Sequence, residues 1–145
     1  MRELSRRALL KISLGLTGAL TSYGLLRFLG YQSSPPTPTQ FTLKSPREYA
    51  RGSVTAVPEA RAYIGRDDNG LFAISAVCTH LGCTVNQSDD GYACPCHGSK
   101  FNAGGYVLTG PARLPLDRLE LTLSPEGRVV LDTTRRVPPD FRLAV

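Results

Sequence analysis

The sequence predicts an all-β domain that follows a single N-terminal membrane helix. The first supporting observation is an uncharged run of 15 residues, Ile12 to Leu26, near the N-terminus. The second is that no stretch after Leu29 has the apolar periodicity of a helix of convincing length. The third is a series of short apolar–polar alternations separated by turn residues, which is typical of antiparallel strands. With 145 residues, the chain has room for one domain and little more.

The basic charge of the chain belongs to its N-terminal segment. The whole chain has a formal net charge of +5, and residues 1–31, with five basic residues and one acidic residue, contribute +4 of it. The remaining residues have a net charge of +1 and contain no stripe of basic and aromatic side chains. This distribution is typical of a membrane or targeting segment followed by a nearly neutral domain, and it predicts no nucleic-acid partner.

Residues 1–32 are predicted to form a twin-arginine-like signal and a membrane anchor helix. Ser5-Arg6-Arg7 and the residues after it look like a twin-arginine export signal, although two arginines that merely flank a helix would have the same sequence. The uncharged run is shorter than a full span, which needs about 20 residues. Lys11 and Arg27 can extend their aliphatic stems from its ends and lengthen the apolar body to residues 8–29.

The same segment predicts how the chain is oriented in a membrane. No small-x-small cleavage motif follows the apolar run, which favours a retained anchor over a cleaved signal. Four basic residues precede the run, so the positive-inside rule places the N-terminus in the cytoplasm or stroma. The predicted location is a bacterial-type inner membrane or a thylakoid membrane, crossed once, with the rest of the chain in the periplasm or lumen.

A proline-rich hinge and a strand-rich domain follow the anchor. Residues 33–40 contain three prolines and are predicted to form an extended polyproline strut. Residues 41–145 are the predicted domain, with strands expected at Ser53–Val57, Ala62–Gly65 and Leu71–Val77. Leu119, Leu121 and Leu123, followed by a turn at 124–127 and by Val129 and Leu131, predict a hairpin with one buried face. Residues 135–140 are predicted to be a solvated tail.

Two short boxes contain every cysteine and histidine of the chain. They read Cys78-Thr-His80-Leu-Gly-Cys83 and Cys94-Pro-Cys96-His97-Gly-Ser99, and each follows a predicted strand, so we expect both at hairpin tips. Cys78 and His80 with Cys94 and His97 would suit an iron–sulfur cluster held by two cysteines on one iron and two histidines on the other. A structural zinc site would use the same four residues. A third interpretation is two disulfides and two incidental histidines.

The boxes resemble those of the Rieske family, which read Cys-x-His-x-Gly-Cys and Cys-x-Cys-His-x-Ser in its quinol-oxidising branch. The resemblance implies an antiparallel β-sandwich with a cluster-binding subdomain. It also implies one [2Fe–2S] cluster, with the metal ligands Cys78, His80, Cys94 and His97. The remaining pair, Cys83 and Cys96, is then expected to form a disulfide that clamps the two tips together, a pair that the zinc interpretation leaves unexplained.

Three further segments match the family around the cluster. Ser99 is similar to the serine whose hydroxyl hydrogen-bonds a bridging sulfide. Gly110-Pro111-Ala112 looks like the proline loop, which covers the cluster from a third side. Leu81 matches an apolar residue at the docking tip. The resemblance therefore adds four residues to the expected cofactor-binding set: Ser99, Leu81, Gly110 and Pro111.

The presence of both Cys83 and Cys96 resembles the high-potential branch of the family, which serves cytochrome bc and cytochrome b–f complexes. This implies a membrane-anchored electron-transfer subunit of a quinol:cytochrome oxidoreductase. The expected partners are a quinol, a cytochrome b-type membrane subunit and, as the acceptor, a c-type cytochrome or cytochrome f. His97 is expected to hydrogen-bond the quinol and is the candidate catalytic residue. The alternative is an exported Rieske electron-transfer subunit of a periplasmic oxidase, such as an arsenite-oxidase-like enzyme.

Two features depart from the family pattern. Phe101 stands where the quinol-oxidising proteins usually have a tyrosine, whose hydroxyl hydrogen-bonds a ligating cysteine sulfur. Because phenylalanine cannot donate this bond, we expect a lower redox potential than in tyrosine-bearing relatives. The hinge, residues 33–40, is rich in proline where family hinges are often rich in glycine or alanine, which predicts a stiffer connection to the anchor.

Overall fold

The computed structural model describes residues 5–31 and 38–145, which belong to two separate units. The first unit is a helix and the second is a β-domain. Most of the predicted hinge, residues 33–37, lies outside the described residues. The last residue of that predicted hinge, Gln40, already begins the first strand of the β-domain.

Helix α1 spans Arg6–Leu29 and includes the whole uncharged run. Ser5 caps its N-terminus by accepting a hydrogen bond from the N–H of Ala8 at 3.2 Å. The helix has 24 residues. At the usual rise per residue this gives a length of about 36 Å, which exceeds the hydrocarbon thickness of about 30 Å. By length and composition, α1 can therefore cross a membrane.

Hydroxyl side chains inside α1 bond to the backbone of the helix itself. Thr17 donates to the carbonyl oxygen of Ser13 at 2.9 Å, and Thr21 donates to that of Thr17 at 2.9 Å. Such bonds satisfy polar groups where hydrocarbon replaces water, so these residues are compatible with a spanning helix. Arg6 and Arg7 are the first residues of α1, a position that suits an export signal and helix-flanking arginines equally.

The β-domain contains two antiparallel sheets within residues 38–145. Its strands are β1 Gln40–Thr42, β2 Val54–Val57, β3 Ala62–Asp67, β4 Gly70–Ser75, β5 Asn86–Ser88, β6 Gly91–Ala93, β7 Lys100–Asn102, β8 Val107–Thr109, β9 Arg118–Leu123 and β10 Val129–Val137. The larger sheet has the strand order β1-β10-β9-β4-β3-β2, and the smaller sheet has the order β5-β6-β7-β8. The helical segments of this part of the chain are two single 3₁₀ turns, Pro46–Glu48 and Pro58–Ala60. The predicted all-β class is therefore confirmed.

The smaller sheet is inserted in the sequence between two neighbouring strands of the larger sheet. Strand β4 pairs directly with β9, with Ala73 opposite Leu119. The four strands β5 to β8 and both cysteine–histidine boxes lie between these strands in the sequence. The chain therefore leaves the larger sheet and returns beside its point of departure, which gives the boxes a rigid base.

The buried side chains form two hydrophobic clusters. The first lies on the larger sheet and includes Leu119, Leu121, Val129 and Leu131, with Leu121 opposite Leu131 in the register of β9 and β10. The predicted buried face of this hairpin is confirmed at these four positions. Leu123 differs, because it is 46% exposed at the end of β9, directly before the turn.

The second cluster joins the two sheets beneath the boxes. It combines Tyr63 and Ile74 from the larger sheet with Tyr92 and Phe101 from the smaller sheet. Tyr92 and Phe101 are directly opposite each other on β6 and β7. The free cysteines of the two boxes belong to the same cluster. The packing that joins the sheets therefore also surrounds the two thiols.

The chain after β10 returns to the larger sheet. Residues 135–140, the predicted solvated tail, are exposed except for the half-buried Val137, and the first three of them form the end of β10. Beyond them, Phe141 and Leu143 pack against the first cluster, and Leu143 forms an antiparallel bridge with Leu71. The sequence did not predict these contacts, because two isolated apolar residues after a proline pair give no periodic signal.

We expect Gly70→Ala to release this C-terminal segment. Gly70 has φ +133°, and a Cβ there would lie 2.3 Å from the carbonyl oxygen of Leu143. The backbone strain and the displaced segment should together lower the free energy of unfolding by about 2–4 kcal/mol. Chemical denaturation of the full chain in detergent measures this loss.

The matched control for this experiment is Gly127→Ala. Gly127 has φ +75° but nothing within 4 Å of the added Cβ, so this variant reports backbone strain alone. We expect the free energy of unfolding of Gly127→Ala to be about 1 kcal/mol below that of the wild type. If the free energy of unfolding fell no further in Gly70→Ala than in Gly127→Ala, the contact with Leu143 would not contribute to stability.

Candidate metal centre

The first box is a tight hairpin tip that follows β4. A bridge between Val77 and Thr84 closes its base. The N–H of Cys78 donates to the carbonyl oxygen of Cys83 at 2.7 Å, and the carbonyl oxygen of Cys78 accepts from the N–H of Gly82 at 2.9 Å. Gly82 has φ +77°, in the left-handed region that glycine adopts most readily. His80 lies at the turn of this loop.

The second box, between β6 and β7, repeats the hydrogen bonds of the first. The N–H of Cys94 donates to the carbonyl oxygen of Ser99 at 2.8 Å, and the carbonyl oxygen of Cys94 accepts from the N–H of Gly98 at 3.1 Å. Gly98 has φ +72°. Each box therefore turns about its first cysteine and needs a glycine four residues later. The sequence marks this shared geometry, because in both boxes a glycine follows the first cysteine at the same spacing.

A third loop holds both boxes from one side. A Cβ on Gly110 would lie 2.4 Å from the Cα of Ser99, so this loop passes directly against the second box. The N–H of Ala112 donates to the Ser99 hydroxyl oxygen at 3.1 Å. The hydroxyl of Thr79, in the first box, donates to the carbonyl oxygen of Leu114 at 2.6 Å. No sequence pattern predicts the Thr79 contact, because its acceptor is a backbone atom 35 residues away.

The structure brings the four predicted ligands to one end of the domain. Cys78 and Cys94 are free and buried. His80 is half-buried and His97 is exposed, and their ring centroids are 4.9 Å apart with perpendicular planes. The site therefore presents two thiols from the protein interior and two imidazoles from the surface. Free thiols on Cys78 and Cys94 exclude the interpretation with two disulfides.

The other two cysteines form the expected disulfide. Cys83 and Cys96 are bonded across the two tips. Their sulfur atoms and the Sγ of Cys94 all lie within 4.8 Å of one another, so the disulfide packs directly against one of the free thiols. Disulfide sulfurs are not thiolate donors, so Cys78 and Cys94 are the cysteines that could supply sulfur ligands to a metal here. The bond closes a loop with a sequence separation of 13 residues. In the chain-entropy account, such a loop stabilises the fold by about 3 kcal/mol.

The surroundings of Cys78 fit a metal-bound thiolate. Burial raises the pKa of its thiol above the ordinary value, and the neighbouring Cys94 adds to this increase. The N–H of His80 and the hydroxyl of Ser99 act in the opposite direction. The buried Cys78 thiol is therefore poorly placed to ionise by itself, whereas a bound metal deprotonates a coordinating thiol outright. The donor set therefore fits a metal centre that neutralises two thiolates.

The surface beside His80 is concave. A pocket of about 550 Å³ is lined by Thr79, His80, Gly110, Pro111, Arg113 and Leu114. Leu81, beside His80, is 71% exposed, and Leu114 is 65% exposed. The predicted residues Ser99, Gly110 and Pro111 thus lie with the ligands, and Leu81 projects at the tip. Exposed leucines beside a ligand pair are typical of an interaction surface.

Comparison with known proteins gives one family and several relatives. A family model described as the Rieske [2Fe–2S] domain matches residues 40–120, which include both boxes and the third loop. The cytochrome b6-f complex iron-sulfur subunit of Chlorobaculum tepidum is 32% identical over 145 residues, which cover 89% of this chain and 76% of that protein. The cytochrome b6-f complex iron-sulfur subunit 2 of Synechocystis sp. is 45% identical over 80 residues, or 54% of this chain and 43% of that protein. This chain therefore aligns with less than half of the second relative.

A solved structure is also similar. The cyanobacterial plasma membrane Rieske protein PetC3 from Synechocystis PCC 6803 is 29% identical, with a TM-score of 0.42, over 55% of this chain and 83% of that chain.

We expect Gly110→Ala to lower the iron content of the purified chain. Gly110 has φ +100°, and its added Cβ would also lie 2.8 Å from the N of Ser99. Backbone atoms cannot move aside as a flexible side chain can, so the third loop should separate from the second box at a cost of about 2–3 kcal/mol. Iron per chain, measured on full-length protein in detergent, should fall well below the wild-type value.

Gly127→Ala is again the control, because it adds a Cβ at positive φ in open space. It should retain the wild-type iron content. Equal iron in Gly110→Ala and Gly127→Ala would show that contact between the third loop and Ser99 is not needed to hold the metal.

Proposed function

Because the chain belongs to the Rieske [2Fe–2S] domain family, we propose that it is the membrane-anchored Rieske subunit of a quinol:cytochrome oxidoreductase. It would accept electrons from a quinol at a cytochrome b-type subunit and pass them to a c-type cytochrome or cytochrome f. The observation that carries this proposal is the 32% identity to a cytochrome b6-f complex iron-sulfur subunit over 89% of this chain. The disulfide beside the donor set also supports it.

The proposed ligands of the cluster are Cys78 and Cys94 on one iron and His80 and His97 on the other. Their support is the pair of free, buried thiols and the pair of imidazoles 4.9 Å apart at the surface. When bound, a [2Fe–2S] cluster supplies a one-electron carrier whose potential histidine ligation raises. Family membership favours this cofactor over a structural zinc ion.

His97 is the residue proposed to meet the quinol. It is the more exposed of the two histidines, so its imidazole can be reached by a hydroxyl group from outside, and one ring nitrogen would stay free if the other held the metal. That nitrogen would accept the hydrogen bond of the quinol hydroxyl and then its proton. Leu81 and Leu114, both exposed, would bury apolar surface against the cytochrome b subunit and exclude water from this contact.

Helix α1 is proposed to anchor the subunit in the membrane. It is long and apolar enough to cross once, and its basic residues are concentrated before the apolar run. The positive-inside rule supports an N-terminus in the cytoplasm or stroma and a β-domain in the periplasm or lumen. An oxidising compartment there suits the Cys83–Cys96 disulfide. Export through a twin-arginine signal at Arg6 and Arg7 stays a prediction.

Purification of the complex from native membranes tests the proposal. The full chain would be tagged at its C-terminus and the copurifying subunits identified by mass spectrometry. We expect a cytochrome b-type subunit and a c-type cytochrome or cytochrome f. The complex should reduce the acceptor cytochrome when a quinol is added, and an inhibitor of the quinol-oxidation site should stop this reaction. Copurification of a molybdenum oxidase without cytochrome b, with no quinol-dependent reduction, would instead support a periplasmic oxidase subunit.

Phe101 is expected to lower the potential of the cluster. It is buried at 1% exposure in the cluster of side chains that contains Cys78 and Cys94. A tyrosine there would add a hydroxyl donor beside the ligating sulfurs. A hydrogen bond to a charged acceptor contributes about 1.5–3 kcal/mol. For one electron, about 1.4 kcal/mol corresponds to about 59 mV. If part of that energy favours the reduced cluster, Phe101→Tyr should raise the midpoint potential by tens of millivolts.

The matched control is Tyr92→Phe, on the strand opposite Phe101. The Tyr92 hydroxyl is buried without a hydrogen-bond partner among the described residues, and burial raises its pKa to about 12. Its removal should leave the midpoint potential within a few millivolts of the wild type. Redox titration of both variants, followed by EPR, measures the two midpoint potentials. An unchanged or lower potential in Phe101→Tyr would contradict the hypothesis that Phe101 lowers the potential of the cluster.

A further inference from the structure

Arg61 lies outside both boxes, yet its conformation is unusual. It follows the 3₁₀ turn Pro58–Ala60 with φ 46° and ψ 52°, in the left-handed conformation. Within residues 5–31 and 38–145 it is the one non-glycine residue with a positive φ. Glycine adopts this conformation with less strain than any residue with a Cβ. The backbone conformation by itself would favour glycine at this position, so other contacts must hold an arginine there.

The Arg61 guanidinium reaches the first box. Its Nη2 donates to the carbonyl oxygen of Gly82 at 2.7 Å and to Oγ1 of Thr84 at 3.1 Å. The N–H of Gly82 is already bonded to the carbonyl oxygen of Cys78. Both backbone polar groups of Gly82 are therefore held, one by the loop and one by Arg61.

The backbone of Arg61 holds the other side of the same box. Its carbonyl oxygen accepts a hydrogen bond at 2.7 Å from the N–H of Ala76, two residues before Cys78. Arg61 thus contacts the chain where it enters the box, at Ala76, and where it leaves the tip, at Gly82. Arg61 makes both contacts from its left-handed backbone conformation.

His80 lies between two anchored neighbours as a result. On one side, the Thr79 hydroxyl is bonded to the carbonyl oxygen of Leu114. On the other side, Gly82 is bonded to Arg61 and precedes Cys83 of the disulfide. Without the guanidinium, the carbonyl oxygen of Gly82 would lose this bond, and on that side the segment would be held by the box's own backbone bonds and by the disulfide.

We propose that Arg61 is a positioning residue for the metal centre. By holding the Gly82 carbonyl, its guanidinium fixes the first box against the larger sheet, whose strand β3 begins directly after Arg61. This contact orients His80 and protects the Cys83–Cys96 disulfide from reduction. The part that concerns His80 rests on the proposed ligand set. The part that concerns the disulfide depends only on the hydrogen bonds of Arg61.

Arg61→Gly tests this with little risk to the fold, because glycine suits the left-handed backbone. The full chain with its cluster, in detergent, would be treated with dithiothreitol, and newly formed thiols would be alkylated and counted by mass spectrometry. We expect the disulfide to be reduced about fivefold faster than in the wild type, since loss of the bonds makes local opening easier. The g-values of the reduced cluster in EPR should also shift, while the melting temperature stays at the wild-type value.

Arg51→Gly is the matched control. Its side chain is exposed, and its ion pair with Asp68 is 3.8 Å long, so its removal deletes an equal charge without touching either box. It should show the wild-type reduction rate and EPR spectrum. A wild-type rate in Arg61→Gly would overturn the proposal, and so would an equal acceleration in Arg51→Gly, which would indicate a general effect of charge.

Arg61→Lys keeps the test decisive if Arg61→Gly melts at a lower temperature. Lysine keeps the charge and the backbone strain but has no planar guanidinium to reach Gly82 and Thr84 together. Faster disulfide reduction at the wild-type melting temperature supports the proposal, and a wild-type rate in this variant overturns it. A wild-type chain without the EPR signal of a [2Fe–2S] cluster would refute the proposed ligands, while the reduction rates would still test Arg61.

Discussion

The candidate metal centre depends on two loops that repeat one hydrogen-bond pattern and are joined by a disulfide. In each loop the first cysteine bonds to the chain four and five residues later, which turns its thiol inward. The histidines lie at the opposite, outer end of the same loops. The Cys83–Cys96 bond then keeps the two loops together. This constraint separates the two kinds of side chain by environment, with thiols inside and imidazoles outside, and the proposed contact with a quinol at the histidines depends on that separation.

The rest of the β-domain supports this constraint. The boxes lie in the segment between β4 and β9, and these two strands are paired with each other. Both ends of the segment are therefore attached to one rigid sheet. The cluster of buried side chains between the sheets surrounds Cys78 and Cys94. The side chains that hold the two sheets together therefore also hold the two thiols in place. The third loop and Arg61 hold the boxes from two further directions.

Much of the fold was accessible from local patterns. The β3–β4 turn and the β9–β10 hairpin follow from alternation and turn residues, and the apolar run marks α1, because these signals lie within a few residues of one another. The errors fall where a partner is distant. Phe141 and Leu143 pack on the first cluster, although no sequence pattern around them predicts a buried contact. Leu123 continues the alternation of β9 but is exposed, because the register of the pair ends with it at the turn.

The sequence by itself determined the chemistry of the site. Cysteine and histidine occur only in the two boxes, so the donor types, their pairing into two loops and the resemblance to one family could be read directly. Only the tertiary structure decided which thiols are free and buried, which histidine is exposed, and which distant groups hold the loops in place. Thr79 bonds to a backbone carbonyl of the third loop, and Arg61 bonds to one in the first box. A backbone carbonyl is present at every residue, so no sequence pattern marks it as an acceptor; only the folded chain brings donor and acceptor within hydrogen-bond distance.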